Sequence, residues 1–453
     1  MSNHNSFSLS FLFLNCTFIV FACSPASVES GEDPWGGMEQ ILEILETPQF
    51  PDRDYLVTYY GAIGDGQTDA RPAIMEAIQD ANKDGGGRVV LPEGTWYSEG
   101  PVHLKSNVNL HVSEGAVLRF SEDARHYLPQ VLTRWEGTEA FNFSPLIYAY
   151  QATNVALTGK GTIDGNSEHG FGTWRDNQGD AQNRLREMGA AGVPVHERVF
   201  GMDDYLRPSM IQFFGCNRIL VEDVTVNDSP MWVIHIIYGE HVTVRGVTVE
   251  SYRLNNDGVS IDSSVMVLIK NNSFHTGDDS IVIKAGRDQD AWRVGRPSEN
   301  IVVRNNYMEG HNALAVGSEM SGGVRNIYME NNRLGEVLSA IYFKSNLDRG
   351  GSIENLRVRN IEVEQANTLL RFRTDYHGYR GEHHPPLYRD FLIEDVTALK
   401  VQRAIQATGV EDSPILDVHV RNMTVEEAEV DIDTAYVRNF VLENVSVNGR
   451  ILE

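Results

Sequence analysis

The sequence predicts an all-β protein, a single-domain right-handed parallel β-helix with a short N-terminal capping helix, and three observations lead there. A short alternating strand motif recurs through the second half of the chain, its copies 22 to 35 residues apart. A small polar residue or glycine sits inside each copy. Clear helical spacing is confined to segments that precede the first strand.

Taken in order, residues 7–22 (FSLSFLFLNCTFIVFA) form an apolar run too short to span a bilayer comfortably, and predict a signal peptide over 1–22. Val20-Phe21-Ala22-Cys23 resembles a bacterial lipoprotein box, although Phe21 is bulky for its position and no Lys or Arg precedes the run. Export is therefore expected, to the periplasm, the cell surface or the medium, with membrane attachment only through a lipid on Cys23. Loss of Cys16 and lipidation of Cys23 would leave Cys216 without a partner, so no disulfide framework is expected. Residues 23–53 read as a tether and N-terminal extension, with a short helix near 38–45. The β-helix is expected over 54–453.

Within it, Asp69 to Asn82 places Ile74, Ala77, Ile78 and Ala81 on one helical face, and Gly85-Gly86-Gly87 ends the helix ahead of a strand at 88–91. The repeats follow: VEDVTV (221–226), VRGVTV (244–249), IKNNSF (269–274), VRNNYM (303–308), MENNRL (329–334), VRNIEV (358–363), IEDVTA (393–398), VRNMTV (420–425) and LENVSV (442–447). Each unit is too short to bury its own apolar face, so neighbours must stack to complete a core. Asp223, Gly246, Asn271, Asn305, Asn331, Asn360, Asp395, Asn422 and Asn444 mark the turns, because Asn, Asp and Gly tolerate left-handed backbone angles and Asn side chains can bond along a stack.

Composition narrows the function. Hydrophobic residues at 41% and charged residues at 22% exclude a disordered chain. A formal net charge of −25 excludes a general nucleic-acid binder, since no basic field would attract phosphates. An acidic polysaccharide would need a local cluster of Lys and Arg against that background.

Chemistry concentrates between Asn255 and Lys344. Successive coils contribute NNDG (255–258), TGDDS (276–280), EGHN (309–312) and AIYFK (340–344). Asp257 and Asp278 are about one coil apart and are expected to stack. Crowded carboxylates raise one another's pKa, the condition for general acid and base work at mild pH. Glycoside hydrolysis needs one protonated carboxyl and one carboxylate that activates water or attacks carbon.

These motifs, with YYGAIGDGQTDARPAI from Tyr59, RPSMIQFFGC (207–216), NDSPMWVIH (227–235) and GSEMSGGVRN (317–326), resemble glycoside hydrolase family 28, the polygalacturonases. The resemblance implies hydrolysis of an acidic, pectin-like galacturonide or related uronide, without cofactor or metal, by an inverting enzyme acting as a monomer. It implies Asp278 as general acid, Asp257 and Asp279 as the groups that hold and activate water, and His311 as a partner of the acid. Lys344 would hold a substrate carboxylate, with Lys284 as a second choice and Asn255 as a further contact. The stretches 197–209 and 286–300 look like exo-acting bacterial members, in which extra loops close one end of the cleft.

Two departures stand out. The family's GHG reads Gly310-His311-Asn312, and its RIK reads Tyr342-Phe343-Lys344. Tyr342 cannot supply the bidentate fork of an Arg. Either Arg349, Arg371 or Arg373 restores the positive contact, or the sugar differs and Tyr342 meets it. A β-helix polysaccharide lyase with a cation on the aspartates, and a non-catalytic glycan-binding solenoid using Trp135, Trp174, Trp232 or Trp292, are the competing expectations.

Overall fold

The computed structural model describes Met1 and residues 33–452. The signal peptide read over 1–22 and the lipid site at Cys23 fall, apart from Met1, outside the described residues. Cys216 is a buried free thiol. No helix among the described residues is long and apolar enough to cross a membrane.

From residue 54 onward the chain winds into stacked coils of a parallel β-helix, and its strands join one sheet of 29 strands. Register is kept from coil to coil. One inward column runs Val155, Ile219, Val242, Val267, Ile301, Ile327, Leu356, Phe391 and Val418, each paired with the next and all buried. Each such side chain contributes about 1.5–3 kcal/mol on leaving water, which a single coil could not collect alone.

All nine turn positions expected from the repeat take left-handed angles, with φ from 53° to 67°. Asn side chains bond along the stack, as in Asn360 Nδ2 to Asn331 Oδ1 and Asn444 Nδ2 to Asn422 Oδ1, both 3.0 Å. A second, buried ladder lies one residue further on, where Asn272 donates to Asn306 and Asn306 to Asn332, each at 2.9 Å. Beyond residue 324 the turns no longer interrupt the strand pattern. Val324–Lys344, Ser352–Arg373, Leu387–Thr408 and Ile415–Ala435 are continuous strands.

Four α-helices occur among the described residues: α1 (Gly36–Ile44), α2 (Arg71–Lys83), α3 (Gly179–Ala190) and α4 (Asp288–Val294). α2 caps the first coil with Ala73, Ile74, Ala77, Ile78 and Ala81 buried. It starts two residues later than the spacing suggests because Asp69 Oδ1 accepts from the amides of Arg71 and Glu99 and so belongs to the turn. At Gly86 (φ 122°) a Cβ would lie 2.7 Å from Asn107 O, so the glycine is required there.

The segment from Trp35, which composition reads as part of a tether, is docked on the outside of the coils. Met38 and Ile41 pack with Met266, Leu268, Val302 and Tyr328. Trp35 Nε1 donates to Glu394 Oε1 at 2.7 Å, and the Arg359 guanidinium stacks 3.9 Å from its ring centre. Two buried side chains on a nine-residue helix, with Trp35 at its N-cap, supply the contact that Ser, Glu and Pro content obscures.

The other departure from a bare solenoid is a set of inserts. A hairpin (Val131–Trp135 with Thr138–Asn142), α3 and α4 stand together beside the sheet. Arg198 Nη1 binds Asp290 Oδ1 at 2.7 Å, and Asp290 Oδ2 accepts from Glu139 N at 3.0 Å, which ties hairpin, loop and α4. α3 escaped the sequence reading because only Ala181, Leu185 and Gly189 are buried on it.

Candidate active site

Register decides where the carboxylates go. Val259 pairs with Ile281, which carried back two residues sets Asp257 beside Asp279. Gly258 N donates to Asp279 O at 2.9 Å and Ser280 N to Asn312 O at 2.7 Å, so Asn312 continues that column. The stacking partner of Asp257 is therefore Asp279 and not Asp278. Asp278, one residue out of step, takes the other direction and its side chain is 20% exposed, against 4% for Asp257 and 2% for Asp279.

Asp278 is held by backbone donors. Asn255 N reaches its Oδ2 at 3.1 Å and Asp279 N its Oδ1 at 3.0 Å. His311 Nδ1 lies 3.6 Å from Asp278 Oδ1 and 3.0 Å from Asn312 Nδ2. Asn255 is in the left-handed region (φ 65°), and its side-chain oxygen accepts from Arg207 Nη2 at 2.7 Å. It thus fixes the position of the Asp278 carboxyl while lining the cleft.

Two lysines separate the buried pair. Lys344 Nζ donates to Asp279 Oδ2 at 2.7 Å, and Lys284 Nζ lies 3.1 Å from Glu319 Oε2 and 3.7 Å from Asp257 Oδ2. Gly317 separates the two lysines along the stack, and a Cβ there would meet Lys344 O at 2.0 Å. Burial raises the Asp257 carboxyl well above the usual carboxylate range, with the Asp278 charge adding to the effect and Lys284 offsetting part of it. Asp279 moves the other way: burial would raise it, but Lys344 and Lys284 outweigh burial and hold it below the usual range. The elevation expected of crowded carboxylates is reversed at Asp279. The site thus sets side by side one carboxyl whose pKa is raised and one whose pKa is lowered.

Lys344, expected to grip a substrate carboxylate, lines the cleft but is engaged by both oxygens of Asp279. Lys284 is likewise paired and buried. Arg349 lines the cleft with a buried side chain whose Nη1 binds Asp288 Oδ1 at 2.6 Å and whose Nε donates to Ser318 O. Tyr342 does not line the cleft and is 4% exposed. Its ring is covered by Arg371, 4.6 Å away, by Lys344 at 5.3 Å and by Tyr376 at 6.3 Å, which removes it as a sugar contact. Arg371 and Arg373 are turned to Gln406 and Asp375. Of the four tryptophans considered as sugar contacts, Trp135, Trp174, Trp232 and Trp292, Trp232 alone lines the cleft, with Lys284 4.7 Å above its ring.

The cleft has a volume of ≈ 570 Å³. Sequence reasoning missed much of its lining. Arg175, Gln182 and Arg186 come from the α3 insert, Glu136 from the hairpin, Arg287 and Glu319 from the coils, and Tyr376 and His377 from the loop after 373. Of these, only Glu319, inside GSEMSGGVRN, and Arg287, inside 286–300, lie in stretches that carry the family resemblance. The Lys and Arg cluster required by the net charge is present: Arg175, Arg186, Lys284, Arg287, Lys344 and Arg349 all line it.

Asp278, Asp279 and His311 each offer a ligand atom within 4.8 Å of the others. Both Asp279 oxygens accept from Lys344, so a cation there would face an ammonium already in place. The donor set suits acid and base work better than metal binding.

The chain matches the family description "Glycosyl hydrolases family 28" over residues 130–440. Residues 56–113 match "Rhamnogalacturonase A/epimerase, pectate lyase-like". It is similar to a probable polygalacturonase of Vitis vinifera, 27% identical over 89% of this chain and 80% of that one. An exo-poly-alpha-D-galacturonosidase of Dickeya chrysanthemi is 28% identical over 78% of this chain and 64% of its own length. Among solved structures, a hyperthermoactive exopolygalacturonase from Thermotoga maritima superposes with a TM-score of 0.89 and 38% identity, covering 92% of this chain and 96% of that one.

Proposed function

Since the chain belongs to glycosyl hydrolases family 28 and is a glycoside hydrolase, we propose that it removes units from one end of an acidic, pectin-like galacturonide with inversion at the anomeric carbon. The observation that carries this reading is the division of labour among the three aspartates. Asp278 is the most exposed, with His311 beside it, and is placed to protonate the leaving oxygen. Asp279, kept ionised by its lysines, accepts a proton from water. Asp257, its carboxyl pushed up by burial, holds that water by a hydrogen bond. Two carboxyls serving one water fit a single displacement, in which the acid and base stand far enough apart to admit water.

Uronate recognition falls to guanidinium groups on the inserts, because Tyr342 is buried where the family pattern has Arg. The inserts also support action at a chain end. Export, with a lipid on Cys23, rests on the apolar run over 7–22 and its VFAC ending, and action as a monomer completes the proposal. Incubation with galacturonide oligomers and product sizing tests it: release of single saturated units supports the reading. An unsaturated, ultraviolet-absorbing product, or no cleavage of any uronide, overturns it.

A further inference from the structure

A chain of ion pairs in the cleft lining joins the inserts to the catalytic floor. Arg186 on α3 binds Glu136 at the hairpin tip (2.7 Å), Glu136 lies 3.6 Å from Arg287, and Arg287 binds Glu319 at 2.5 Å. Glu319 in turn binds Lys284, which faces Asp257. A substrate chain cannot run through a wall bonded from α3 to the sheet.

The wall also has free valences. Glu136 Oε2 accepts from Arg186 Nη2 and from Gln182 Nε2 at 2.8 Å, while its Oε1 accepts no hydrogen bond from any described residue. Arg186 bonds through Nη2 alone among the described residues, and its side chain is 26% exposed, which leaves Nη1 for a ligand. Arg175, nearby in the lining, has only a 3.6 Å contact with the exposed Asp176. An open acceptor therefore stands beside open guanidinium donors. A uronate ring carries the complement of both, a carboxylate and adjacent hydroxyls. A neutral ring would leave Arg186 unanswered, and a second carboxylate at Glu136 would be repelled.

We propose that Glu136 and Arg186 read the terminal uronate ring of the substrate, Arg186 taking its carboxylate and Glu136 Oε1 accepting from its hydroxyls. The inference rests on the hydrolase reading and assigns the specificity of this wall. Burial would raise the Glu136 carboxyl, but Arg186 and Arg287 outweigh it and keep the group charged, which strengthens it as an acceptor.

The test compares kinetics on an oligogalacturonide and on its carboxyl-reduced counterpart, with product sizing and thermal unfolding in parallel. Arg186→Gln is expected to raise KM for the acidic oligomer on the order of tenfold or more, with a smaller change in kcat and little change on the reduced oligomer. Arg186→Lys, which keeps the charge, should recover part of the loss and serves where the Gln variant does not fold. Glu136→Gln should raise KM on both oligomers, and the double alanine variant should release products longer than one unit. An active wild type whose variants keep its KM and single-unit products, or lose only thermal stability, overturns the wall assignment alone. A wild type inactive on every galacturonide overturns the hydrolase reading, and the wall assignment with it.

Discussion

Lys344 Nζ lies 2.7 Å and 3.1 Å from the two carboxylate oxygens of Asp279, a residue 65 positions earlier in the chain. Both side chains are buried, 7% and 2% exposed, so neither charge has water to fall back on. Asp279→Asn should lower folding stability by about 3–5 kcal/mol, the usual cost of leaving a buried charge unpaired. The double variant with Lys344→Met should regain much of that stability and none of the activity. The Asp279 pKa is lowered in the fold, so its contribution is present above the unfolded carboxylate value and is lost as pH falls through the folded one. Urea titrations at several pH values check all three statements.

Asp278→Asn should reduce kcat at least about a hundredfold while leaving the melting temperature and KM nearly unchanged. Its two backbone contacts are donated to the carboxyl, and an amide oxygen can still accept one. Retention of more than about a tenth of the wild-type rate contradicts its role as acid.

Asp257→Asn should stabilise the protein increasingly as pH rises. Burial, with Asp278, raises the Asp257 pKa in the fold, so the wild type loses stability as pH climbs from the unfolded value through the folded one. The slope approaches about 1.4 kcal/mol per pH unit between those two values. An amide removes that slope. A difference in stability that does not vary with pH would show that the Asp257 pKa is not raised in the fold.

Tyr342→Arg should destabilise the fold and leave substrate preference unchanged. An Arg there would complete the family's RIK pattern, but the ring lies between Arg371 and Lys344, away from the cleft. A third cation in that space should cost roughly 3 kcal/mol or more, while Tyr342→Phe should change stability by about 1 kcal/mol at most. Chemical denaturation of both variants, with competition between acidic and neutral oligomers, decides it.

The solenoid was legible because its turns are encoded one residue at a time. Asn271, Asn305 and Asn331 announce left-handed turns that few other residue types adopt, and the structure has them all. The aspartates were legible because motif and spacing place them on neighbouring coils. Their individual roles were not: a register of 22 residues, set by Val259 pairing with Ile281, stacks Asp257 on Asp279 and turns Asp278 outward. Nor was the state of Lys344, since its partner is 65 residues distant. The recognition wall was hidden for a different reason. Glu136, Gln182 and Arg186 lie on inserts outside the repeat, where ordinary polar side chains carry no periodic signal and acquire meaning only from tertiary contact.

The central claim is that Asp257 and Asp279 serve one water while Asp278 protonates the leaving oxygen. Proton NMR of the first-formed product from a galacturonide oligomer tests it most directly, provided spectra are taken before the new reducing end equilibrates. The account predicts a saturated unit whose anomeric configuration is opposite to that of the cleaved bond. A first product with retained configuration would require one aspartate to attack carbon, and would contradict the account.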